Sequence, residues 1–128
     1  MNNVAEENFV KKYIKKSYQD RLLFELKSKK HREKAISRFA HHSKEIWKDM
    51  IHVKAFRNAQ EAIQHFKNVN EMCCVISLDL TDGGSFPVQI AIQNCLDSYS
   101  QAVLIGETFA FVKEETEQGS PSIYLITV

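Results

Sequence analysis

Apolar residues in the first seventy positions recur at helical spacing, and beyond them the spacing shortens to strand alternation. Phe9, Val10, Tyr13, Ile14 and Ser17 share one side of a helical wheel with Lys11, Lys12, Lys15 and Lys16 opposite, which predicts an amphipathic helix over about 4–17. Leu22, Leu23 and Leu26 then rotate onto the side the lysines held, so a second helix, about 20–27, is expected after a bend, with Asp20 as its cap. Ser28 can cap a third helix, about 29–52, striped by Ala35, Ile36, Phe39, Ala40, Ile46, Trp47, Met50 and Ile51. Asn58 with Glu61 three residues on has N-cap and N3 chemistry, opening a fourth helix to about 68.

The alternation of Met72, Cys74, Ile76, Leu78 and Leu80 with their neighbours predicts a strand over 72–80, and Thr81-Asp82-Gly83-Gly84 a turn. Residues 87–97 fit either period. Pro87 suits a first helical turn and favours helix; as a strand the segment would add a fourth member to the sheet. Residues 102–113 alternate at Ile105, Phe109 and Phe111 with a bulge or break at Gly106, and 121–128 is apolar on both faces, as an interior strand would be. No repeat is present. The expected architecture is a single α+β domain over 1–128: an N-terminal layer of about four helices packed with a small, mostly antiparallel sheet of three to four strands and one further helix.

Charge divides where the period changes. Sixteen of the 17 Lys and Arg lie in residues 1–70 with half of the 16 acids, a balance of +8, and residues 71–128 carry −7, with Lys113 their one cation. The 1–70 part is therefore basic and helical and the 71–128 part acidic and strand-rich, which is read as a boundary between structural layers. The start of the chain has acids where a signal peptide needs positive charge, and no apolar run approaches a membrane span, so a cytoplasmic protein with no membrane partner is expected. Three cysteines, Cys73, Cys74 and Cys95, match neither a redox pair nor a zinc knuckle and are expected as reduced, buried thiols.

The order "CCVISLDL", a Gly-containing turn with Pro opening a helix, "AVLIGETFAFVKEE" and a closing "IYLI", together with the helical "RLLFELKSKKHREKAISRFAHH", resembles a family of small uncharacterised bacterial proteins. The resemblance covers most of the chain. It implies a bacterial α+β domain and assigns no activity and no residue role.

On the expected long helix His41, Glu45, Asp49 and His52 fall within an arc of about 80° and could ligate a divalent ion, but the arc lies opposite the apolar stripe and reads as a solvated face. Asp79 and Asp82 lack the ligand spacing of a calcium loop, and Gly83-Gly84 lacks the rest of a phosphate cradle. No catalytic residue and no cofactor is assigned. The basic half carries more: Lys12, Lys16, Lys29, Lys30 and Arg32 are the candidate binding residues of a basic face. A polarised charge without a catalytic constellation points to a non-catalytic accessory, regulatory or immunity-type protein that binds a protein partner or a second copy of itself. The alternative is sequence-tolerant nucleic-acid binding through the basic helices.

Overall fold

The computed structural model describes residues 3–40, 45–98, 100–114 and 122–128, Asn3 by its backbone alone. Among these residues the chain forms α1 (Asn3–Tyr13), α2 (Lys16–Lys27), α3 (Arg32–Ala40), β1 (His52–Phe56), α4 (Ala59–His65), β2 (Met72–Ser77), β3 (Ser85–Pro87), α5 (Val88–Asp97), β4 (Ala102–Ile105), β5 (Ala110–Lys113) and β6 (Ile123–Thr127). The strands make one antiparallel sheet in the order β1-β6-β5-β4-β2-β3. The fold is α+β, with a sheet larger than the three to four strands expected.

Strand alternation sends side chains to two separate cores. Ile76, Val103, Val112 and Ile126 meet Phe9, Leu22, Ile36 and Phe39 from α1, α2 and α3 on one face. Cys73, Val75, Leu104, Phe111 and Leu125 meet Ala62, Phe66, Val88 and Ile92 on the other. Helices on both faces explain why every residue of β4 is buried, a pattern that a sheet with one wet face would not produce. The same cover makes β6 apolar on both sides and interior, as expected of the last strand.

Two expectations about layering are corrected. The four N-terminal helices do not share a layer: α4 packs with α5 on the face opposite α1–α3. The charge boundary near residue 70 is not a layer boundary either, because β1, from the basic part, completes the sheet by pairing with β6.

Local chemistry explains the element ends. α1 stops at Tyr13 because Ile14 forms a bridge with Trp47: Lys15 N donates to Ile46 O at 2.8 Å and Lys48 N to Tyr13 O at 2.9 Å. α2 therefore starts at Lys16, ahead of the expected Asp20 cap, and Gln19 Nε2 satisfies the Ile14 carbonyl at 2.9 Å. Of the helix expected over 29–52, the described residues form α3 over Arg32–Ala40, whereas 45–50 are turns and β1 follows them. Ile46 and Trp47 continue the helical stripe by spacing alone; both are buried in the core, with the Phe9 and Phe39 rings 6.1 Å from Trp47. Asn58 caps α4 as expected, accepting from Glu61 N at 2.9 Å, and Pro87 directly precedes α5.

The strand expected over 72–80 ends at Ser77. Ser77 N and Thr81 N donate to the carboxylates of Asp82 and Asp79 at 3.0 and 2.8 Å, closing a turn that leaves Leu78 and Leu80 exposed. Gly83 holds φ 79° there, a left-handed conformation costly for other residues. The segment 102–113, expected as one strand with a bulge or break at Gly106, is two strands: Gly106 opens the β4–β5 hairpin, where its amide donates to Phe109 O at 2.9 Å and the Phe109 ring leaves no room for a Cβ.

Candidate interaction surface

The five expected basic residues do not form one face. Arg32 is buried, and its five N–H groups are all used: Glu6 receives two at 2.8 and 2.6 Å, Asp82 two at 2.7 and 2.8 Å, and the Leu26 carbonyl one at 2.8 Å. Hydrogen bonding to Glu6, opposed by burial and reinforced by Asp82, pushes the guanidinium pKa further up. Arg32 is thus a clamp joining α1, the end of α2, α3 and the β2–β3 turn. Lys12 reaches across to the Glu107 carbonyl at 3.3 Å. Lys16 is exposed at the start of α2, and Lys29 and Lys30 are exposed beyond its end, about 18 Å away along a twelve-residue helix.

The four metal candidates do not lie on one helix. Glu45 and Asp49 are exposed in turns, His52 is on β1, and His41 lies outside the described residues. Among the described residues no group of three or more His, Cys, Asp or Glu converges on a metal-sized site. Burial, then Glu71, pushes the Cys73 thiol up to about 12, and burial does the same to Cys95, so both are protonated and poor nucleophiles at neutral pH. Cys74 is only partly buried. Buried Lys113 donates to the Ser98 and Ser100 carbonyls at 2.6 Å each, a cation placed at the end of α5. Among the described residues no helix is long and apolar enough to cross a membrane.

The region that stands open is the β1 end of the sheet. Four of its five residues are exposed and only Phe56 is buried, against the Phe66 and Phe111 rings. The direction of its backbone groups follows from the ladder. Glu114 N donates to Ser122 O at 2.9 Å, so Ser122, Tyr124 and Ile126 turn their backbone groups to β5, and Ile123, Leu125 and Thr127 turn theirs to β1. With Thr127 opposite His52 and Leu125 opposite Lys54, the residues bonded to β6 are His52, Lys54 and Phe56. Val53 and Ala55 therefore point their N–H and C=O outward, where among the described residues they meet no backbone partner.

The two sides of this edge differ in chemistry. On the α1–α3 side, Val53 borders an apolar groove of about 490 Å³ with Trp47, Ile51, Tyr124 and Ile126, rimmed by Lys48 and Asp49. Trp47, the chain's one tryptophan, forms the wall, and its buried Nε1 has no hydrogen-bond partner among the described residues. On the α4 side stand His52 and Lys54, which among the described residues make no ion pair; Lys54 Nζ lies 5.7 Å from the Phe56 ring centroid. Burial, and then the charge of Lys54, lower the pKa of neighbouring His65. Arg57, next along the chain, is paired with Glu61 at 2.9 Å.

A second hollow, about 330 Å³, lies between α1 and the other end of the sheet, bordered by Asn8, Lys12, Tyr13, Cys74 and Ser85. It is more polar, and the buried Tyr13 hydroxyl at its wall has no partner among the described residues.

Comparisons with protein-family models, with curated proteins and with solved structures find no match for this chain.

Proposed function

We propose that the protein is a non-catalytic interaction module that binds another protein, in the manner of an accessory, regulatory or immunity-type partner. The observation that carries this reading is the β1 edge, where backbone groups with no partner among the described residues lie beside an apolar groove. Native sheets normally cover or shorten such an edge, because it is a template for pairing with another chain. The burial of Cys73 and Cys95 and the internal use of Arg32 support a binding role over a chemical one. Light scattering of the full chain over a concentration series, with crosslinking in a lysate of its source cells, tests the proposal. A discrete, saturable complex is expected; the absence of both a partner and self-association would overturn the proposal.

A second reading, nucleic-acid binding, is favoured by Lys16, Lys29 and Lys30, which are exposed and make no ion pair among the described residues. Their separation along α2 and the withdrawal of Arg32 into the interior weaken it. It predicts a gel shift at about 50 mM salt that disappears steeply as salt rises. No shift at low salt removes this reading.

A further inference from the structure

We infer that the β1 edge accepts an extended peptide segment in which acidic and apolar side chains alternate. This rests on the protein-binding reading and specifies the partner's chemistry. A strand laid against β1 would bond to the outward groups of Val53 and Ala55, leaving the existing ladder to β6 intact. Side chains alternate across a sheet, so every second residue of the added strand falls on the groove side, near Val53, Trp47 and Ile51, and the others fall beside His52 and Lys54. The first set has to be apolar. The second meets two cationic or titratable groups that lack carboxylate partners among the described residues, with His65 and the paired Arg57 behind them and Glu61 as the nearby acid. Acidic side chains complement that set.

The edge also discriminates against a second copy of the chain. Full two-fold pairing of two β1 strands, centred on Lys54, sets the two Lys54 side chains directly opposite each other, where like charges destabilise a ladder. An acidic strand replaces that repulsion with attraction.

The test titrates the full chain with a synthetic seven-residue peptide alternating Glu with Leu or Val, read by Trp47 fluorescence, against a counterpart with Lys in place of Glu. Saturable binding of the acidic peptide is expected, with the Lys peptide at least about tenfold weaker and Lys54→Glu weakening the acidic peptide about tenfold. Ala55→Pro removes only an outward N–H, a position where an edge strand tolerates proline, so the fold persists and binding is lost. Should that variant fail to fold, two peptides N-methylated on alternate residue sets give the same answer with the protein unchanged: one set abolishes binding and the other leaves it intact. No saturable binding, equal binding of both peptides, or indifference to both methylation sets would overturn the inference. A crosslinked lysate complex that is unaffected by Lys54→Glu would overturn the inference and leave the interaction reading standing. Absence of any complex, and of self-association, would overturn that reading.

Discussion

At one end of the sheet β3 contributes three residues and leads through Pro87 directly into α5, whereas at the other β1 runs for five residues beside an open groove. The backbone groups make the contrast sharper. Val75 N donates to Gly84 O and Val88 N to Glu71 O, so Phe86 turns its groups inward to β2 and the outward positions of β3 are Ser85 and Pro87. Pro87 has no N–H, which leaves Ser85 as the one outward donor of β3 against two in β1. The β3 end is also clamped by Arg32 through Asp82, whereas β1 is held by β6 and by Phe56. One edge is finished by its own chain and the other is left unpaired among the described residues, and that difference locates the proposed binding surface.

The comparison can be broken most strongly at the clamp. Arg32→Met leaves the buried carboxylate of Glu6 without its cation and is expected to cost about 3–5 kcal/mol in chemical denaturation. Hydrogen exchange should rise first in the 78–86 turn; a loss under about 1 kcal/mol would show that the β3 end is not held this way. Phe56→Ala removes the buried anchor of β1 and should cost about 3 kcal/mol, with faster exchange confined to β1 and α4. Gly83→Ala strains a left-handed position in the β2–β3 turn and should lower stability by about 1 kcal/mol, read as a fall in Tm without change at β1.

The smallest effect is electrostatic. Burial and Lys54 hold the His65 pKa below its ordinary value, so in the acid range the unfolded chain binds the proton more tightly than the folded one. Stability associated with His65 is therefore present above about pH 6.5 and falls as pH drops through that value toward the lower folded pKa. Lys54→Met removes one of the two causes, and an NMR titration should show the His65 pKa move upward. A downward movement would show that Lys54 does not face His65.

Much of the architecture was legible where a residue acts on its immediate neighbours. Asn58 with Glu61, Pro87 before α5 and the Asp-Gly-Gly turn work over three or four positions and appear as expected. The long-helix expectation over 29–52 failed because spacing cannot tell which element covers an apolar residue: Trp47 keeps the helical period with Phe39 but reaches the core from a turn bridged to Ile14. β1 carries a strand signal of its own, with Val53 and Ala55 alternating against His52 and Lys54, but only over five residues and directly after an apparent helical stripe. Its strand character comes from β6, some seventy positions later. The candidate site was less legible for the same reason. Lysine density singled out Arg32, whose carboxylate partners lie 26 and 50 positions away, so its burial has no local signature.

Amide hydrogen exchange of the free protein by NMR tests residue by residue whether β1 is an open edge with a defined phase. The account predicts slow exchange at His52, Lys54 and Phe56, whose amides bond to β6, and fast exchange at Val53 and Ala55 between them. Protection of Val53 and Ala55 equal to that of their neighbours would mean that the edge is already paired or covered, and would contradict it.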